Sequence, residues 1–159
     1  MKITLRKISI SESLSEETHA YTAIVQVDGV DAFHASNHGT GGADLYHKVE
    51  GYTGPSEAEV SDWLEANTPP MQTHGMSLEY DLELIVGELI EDHLARKYLD
   101  RMLKSKIVVI YTKDGEEAVF TYKFAPSPVT IAALRPKLNP SVTIVNGDPA
   151  AYERALALL

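Results

Sequence analysis

The chain contains no cysteine, which excludes disulfides, thiolate zinc sites, iron–sulfur ligation and a cysteine nucleophile, and which fits a reducing compartment. It also lacks any apolar run approaching the roughly 18 residues of a membrane helix. Its first 15 residues carry no apolar core of a signal peptide. The expectation is a cytoplasmic protein with no membrane partner. Cations are scarce: 14 Lys and Arg stand against 23 Asp and Glu, a formal net charge of −9. Nucleic-acid backbones are held by clustered Lys and Arg, so non-specific binding to them is excluded. The complete catalytic spacings are missing as well. There is no G-x-S-x-G, no H-E-x-x-H, no G-x-x-x-x-G-K-[ST] and no G-x-G-x-x-G, and no carboxylate pair matches a reaction by spacing alone. Internal repeats and low-complexity tracts are absent too.

What is present is an ordinary globular composition. With 44% hydrophobic and 23% charged residues over 159 positions, the expectation is a single domain, 1–159, with a buried core. In KITLRKISI, Ile3 and Leu5 fall on one strand face and Ile8 and Ile10 on the other, a phase change that predicts a bulge in a first strand. The next stretch predicts a β-hairpin closed by a type I′ turn at Asp28-Gly29, with Tyr21, Ala23, Val25 and Val27 on its core face. A glycine-rich loop follows, then a short fourth strand in LYHKVEGYT. Ser56 and Glu59 have capping-box spacing, and Val60, Trp63 and Leu64 form the stripe of a short helix. The segment NTPPMQTHG breaks that helix, with Pro69-Pro70 as a candidate hinge. From Ser77 to Lys104 apolar residues recur with helical period, predicting a long central amphipathic helix. The last third predicts a second D-G hairpin at Asp114-Gly115, a helix stopped near Pro136, a short strand in SVTIVNG, and a closing helix capped by Asp148 with Pro149 at its first position. Strands clustered rather than alternating with helices predict the α+β class: an N-terminal antiparallel meander, the central helix, a C-terminal hairpin, then α-β-α.

The charge is local. Residues 49–95 hold eleven acids and no Lys or Arg, whereas residues 96–106 hold five bases and only Asp100. That order complements a helix dipole, and Asp92-Arg96 and Asp100-Lys104 have i,i+4 spacing.

The run Asn37-His38-Gly39-Thr40-Gly41-Gly42 is the sharpest candidate site. Its glycines permit positive φ and leave backbone N–H groups free to line an anion site. Asn37, His38 and Thr40 would add side-chain hydrogen bonds, with Lys48 as counter-charge. Five of six histidines, His19, His34, His38, His47 and His74, precede residue 75, but they match no recognised ligand spacing, so no metal or cofactor is assigned. His93 falls inside the apolar helical stripe and reads as an edge-of-core side chain, while Glu88, Glu91 and Asp92 read as a solvated face. Tyr80 and Tyr98 are five helical turns apart and in line with Gly87, a candidate interface between copies of the chain.

The segments KITLRKISI, SEETHAYTAIVQVDGVDAFHASNHGTGG, YDLELIVGELI and VTIVNGDPAAYERALAL together resemble a group of small uncharacterised proteins encoded by phages, prophages and plasmids. Those proteins show an S-E-E-T strand, a D-G hairpin and an N-x-G-x-G-G loop in that order. The resemblance implies a mobile-element accessory protein, in the host cytoplasm if phage-encoded, that acts by binding. The leading expectation is a non-enzymatic, homo-oligomeric binding protein that recognises a host protein or a small anionic ligand, such as a signalling nucleotide, through the glycine loop region, with anti-defence as one role that the resemblance implies. Two other classes stand beside it: a metal-dependent hydrolase or nuclease using the histidines, and an acidic mimic of nucleic acid.

Overall fold

A computed structural model describes residues 1–73, 75–113 and 115–159. His74, and the Asp114 of the second D-G turn, lie outside the described residues. Two compact units divide the chain, Met1–Ile90 and Glu91–Leu159, and the class is α+β throughout. Among the described residues no helix is long and apolar enough to cross a membrane.

The first unit opens on β1 (Ile3–Ile10), β2 (Ala20–Val27), β3 (Val30–His38) and β4 (Leu45–Lys48), which form an antiparallel sheet in that order. The phase change in β1 is a bulge. Pairing jumps from Arg6↔Ile24 to Ser9↔Thr22, and Lys7 takes a φ of +51°. Asp28 and Gly29 both have positive φ, +50° and +82°, as a type I′ turn requires. A second irregularity, between Val25 and Gln26, inserts Ala32 beside Phe33, so both of these neighbours are buried. The core face carries Tyr21, Ala23, Val25, Phe33 and Ala35, and alternation leaves Thr22, His34 and His38 on the exposed face.

Helix α1 (Glu57–Asn67) starts in the capping box foreseen: Ser56 accepts from the Glu59 amide while the Glu59 carboxylate accepts from the Ser56 amide at 2.8 Å. Val60 and Leu64 are buried. The segment after it differs from expectation. β5 (Met71–Thr73) and β6 (Met76–Leu78) pair as a small hairpin, so Ser77 and Leu78 belong to a strand rather than to the long helix. That helix, α2 (Leu82–Ser105), begins later because Asp81 caps it, its carboxylate accepting from the Leu84 amide at 2.7 Å. At 1.5 Å per residue its length is about 36 Å. Leu82, Val86 and Ile90 supply its buried stripe in the first unit.

The second unit pairs β7 (Ile107–Lys113) with β8 (Glu116–Tyr122) on one side and β9 (Thr143–Ile144) on the other. Between β8 and β9 lies α3 (Pro128–Leu134), and α4 (Pro149–Leu156) closes the chain, capped by Asp148 through the Ala150 and Ala151 amides. One face of β7 buries Val108 and Ile110 against Leu99, Met102, Val145, Ala151 and Ala155. The other buries Ile107, Val109 and Ile144 against Ile131, Leu134 and Leu138. Asn146 joins the strand to the end of α2, accepting from the Val108 amide at 2.7 Å and donating to the Lys106 carbonyl at 3.0 Å.

Candidate functional site

The glycine loop connects β3 to β4, and its path is set by side chains. Asn37, at the end of β3, is the one buried polar residue among those described. Its Oδ1 accepts from the Thr18 hydroxyl at 2.9 Å and from the Gly39 amide at 2.8 Å, and its Nδ2 donates to the Gly42 carbonyl and to Asp44 Oδ1, both at 2.9 Å. The Gly39 carbonyl in turn accepts from three successive amides, Glu16, Glu17 and Thr18, at 2.9, 3.0 and 3.3 Å. Gly39 has a φ of +85°, and a Cβ there would lie 2.2 Å from the Leu14 carbonyl oxygen, so only glycine fits.

Asp44 anchors the far end of the loop. Its Oδ2 accepts from the Tyr21 hydroxyl and, at 2.9 Å, from the Tyr46 hydroxyl. Burial, reinforced by the Asp44 carboxylate, pushes both phenols well above their ordinary range. They therefore stay protonated as donors, and neither is an activated nucleophile. Asp44 already accepts three hydrogen bonds inside the protein, leaving little capacity for general-base work. Alternation pointed to Tyr21 as a core residue, but nothing in the sequence joined it to Asp44 and Tyr46. The faint signal was the i,i+2 spacing of Asp44 and Tyr46, which places both on one strand side.

This geometry changes the reading of the loop as an anion cradle. The Gly39 amide is bonded to Asn37 and the Gly41 amide to the Thr18 hydroxyl at 3.3 Å. The surroundings are acidic: Glu17 Oε2 lies where a Cβ on Gly41 would point, and Glu83 accepts from the Asp44 amide at 3.4 Å. Lys48 is not brought to the loop. It pairs with Phe33, three residues down the strand from the Ser36↔Leu45 pair, or about 10 Å away, and its ammonium sits 5.6 Å from the Tyr52 ring centroid. His38 and Thr40 are exposed beside the loop, and Gly42 contributes its carbonyl.

The exposed face of the sheet next to the loop holds a shallow depression of about 240 Å³. Ser9, Thr22 and Ser36 occupy paired positions across β1, β2 and β3, so three hydroxyl-bearing residues form one row of its lining. His38 borders it on one side and Leu14, 60% exposed, on another. The Arg6 guanidinium on the same sheet is held by Asp31, Nε donating to Oδ1 at 2.6 Å, which keeps the Asp31 carboxyl low, at about 2. A wider hollow of about 440 Å³ lies in the second unit, lined by the prolines Pro136 and Pro140 and by Arg135. The Asp148 carboxylate in its wall is engaged as the cap of α4.

The remaining candidates separate. His34 and His47 face each other across β3 and β4, but His38 is four residues along the strand from His34, about 13 Å. Among the described residues no three His, Asp or Glu side chains are grouped so that they could hold a metal ion. His93 is half-buried on α2, as an edge-of-core residue would be. Glu88 accepts from the Tyr80 hydroxyl at 2.6 Å, and Asp92 pairs with Arg96 at 2.8 Å. Asp100 accepts from the Tyr152 hydroxyl at 3.0 Å. Tyr80 precedes the first helical residue, Leu82, so the spacing to Tyr98 does not place the two on one helical line. Gly87 and Tyr98 are both exposed on α2. No protein-family model, curated protein or solved structure matches the chain.

Proposed function

We propose that the protein acts by binding, as the resemblance to mobile-element accessory proteins implies, and that its ligand is a protein of the host cell. The carrying observation is the depression on the exposed face of the N-terminal sheet, where Ser9, Thr22 and Ser36 line up beside His38 and Leu14. Its volume of about 240 Å³ lies below the roughly 300–1,000 Å³ of pockets that enclose small molecules. It suits a partner's single side chain, with Leu14 and the hydroxyls as apolar and hydrogen-bonding contacts. The acids around the loop and the engagement of Arg6 by Asp31 oppose an anionic nucleotide at this place.

The test is a photo-crosslinking amino acid at His38, compared with the same group at Glu57, in host-cell extract. A discrete adduct from position 38 alone, lost when Ser36→Trp fills the depression, is the expected result. Equal adducts from both positions, or none, would overturn the proposal. A nucleotide panel read by thermal shift checks the rival ligand class: saturation at 100 times Kd would stabilise by about 2.7 kcal/mol, and the expected shift is nil.

A further inference from the structure

The second unit's sheet has the order β8-β7-β9, so β8 is an edge. Edge strands are ordinarily blunted, because their unpaired backbone groups template pairing with another chain. The protein blunts the edge strand β1 with the Lys7 bulge. It does nothing of the kind in β8, which pairs with β7 over seven residues without a register shift, from Ile107↔Tyr122 to Lys113↔Glu116.

Hydrogen bonding on the far side of β7 tells which groups of β8 are open. The Val108 carbonyl accepts from Val145 at 2.9 Å and the Val108 amide donates to Asn146 at 2.7 Å, so Val108 turns its backbone away from β8. Its partner Thr121 is then in a non-hydrogen-bonded pair, and Thr121, Val119 and Glu117 direct their N–H and C=O outward. The same edge is apolar. Phe120 and Tyr111 are 39% and 38% exposed and meet edge to face at 5.8 Å, and Phe124, 51% exposed, stacks on Tyr122 at 6.3 Å.

We propose that β8 is the docking edge for a second copy of this chain, paired antiparallel about a two-fold axis at Phe120. In that register the outward groups of Val119 meet those of Thr121, and Phe120 opposes its own copy in a non-hydrogen-bonded pair, where side chains are closest. The edge is then complementary in charge: Glu117 of each copy, already paired with Arg154 of its own chain, comes opposite Lys123, one residue beyond the end of β8 in the other copy, twice over. The aromatic strip Tyr111-Phe120 continues across the axis into the same strip of the second copy, and two three-stranded sheets become one of six strands. A two-fold contact needs a self-complementary patch, and this register gives one. The patch is small, so association in the micromolar range is expected.

Sedimentation velocity over a concentration series should show a monomer–dimer equilibrium. Lys123→Glu should weaken it at least about tenfold by placing like charges face to face, and Lys123→Arg should preserve it. The absence of native cysteine makes a second readout clean. Phe120→Cys should form a disulfide-linked dimer under mild oxidation, while Val129→Cys, exposed on α3, should not. A monomer at every concentration, unchanged association in Lys123→Glu, or equal cross-linking from positions 120 and 129 would each overturn the proposal.

Discussion

Asn37 satisfies two donors and two acceptors with one amide, and no other residue type offers that set at that size. Asn37→Ala leaves the Asp44 carboxylate and the Gly39 amide short of a partner in a largely buried setting. At about 1–3 kcal/mol for each of these two groups, the loss should total about 2–6 kcal/mol, read as a lower urea midpoint. Gly39→Ala should cost about 2 kcal/mol or more, because strain at positive φ adds to collision with the Leu14 carbonyl. Tyr52 makes the opposite case. Its hydroxyl is buried with no hydrogen-bond partner among the described residues, so Tyr52→Phe should raise stability by about 1 kcal/mol in the same titration. The tyrosines also set the alkaline limit. With folded pKa values above the unfolded value of 10.0, Tyr21 and Tyr46 hold protons that the unfolded chain releases. Their contribution is therefore complete below about pH 10 and declines above it, by up to about 1.4 kcal/mol per pH unit for each. Urea titrations at pH 8 and 11 should show this slope, and Tyr46→Phe should reduce it.

At the scale of elements, what was legible in the sequence was whatever a few neighbouring residues decide. The Asp28-Gly29 turn, the Ser56/Glu59 capping box, the Asp148-Pro149 start and even the β1 bulge are written in local spacing, and each stands where it was expected. The β5-β6 hairpin was hidden because three-residue strands carry too little alternation, and Leu78 happened to continue the period of α2. The loop network was hidden for another reason: Thr18, Tyr21, Asn37 and Asp44 meet only after three strands have paired. Local spacing located the loop and Asn37, but not Thr18 and Asp44, the partners that hold it. Helix α2 supplies a prediction of its own. Among the described residues nothing beyond the backbone of the helix itself and the two neighbouring residues lies within 4 Å of a Cβ placed on Gly87, so Gly87→Ala should stabilise the helix by about 0.5–1 kcal/mol. A gain in melting temperature that does not vary with protein concentration is expected. If Gly87 sits at an interface, the variant would instead weaken association.

For the whole molecule, the compact units are joined by a helix that is continuous across the division at Ile90 and Glu91. A helix interrupted in its middle forfeits hydrogen bonds on both sides of the break, which favours cooperative melting. Fluorescence of the single Trp63, in the first unit, and far-UV circular dichroism should therefore give coincident urea transitions; separate midpoints would mean that each unit melts on its own. The net charge of −9 acquires a structural meaning at this scale. Several of the acids have named intramolecular partners, Glu59 at a helix cap, Glu83 at the loop, Glu88 on Tyr80 and Asp92 on Arg96. An array of carboxylates free to imitate a phosphate backbone is correspondingly smaller than the composition suggests.

The clamp around Asn37 has one more consequence. Because the loop's course is dictated by residues outside its tip, the exposed positions Thr40 and Ala43 are decoupled from the scaffold that carries them. Such a segment can change its surface chemistry while its backbone stays put, which is the property that lets a lineage retarget a small protein by a few substitutions without refolding it.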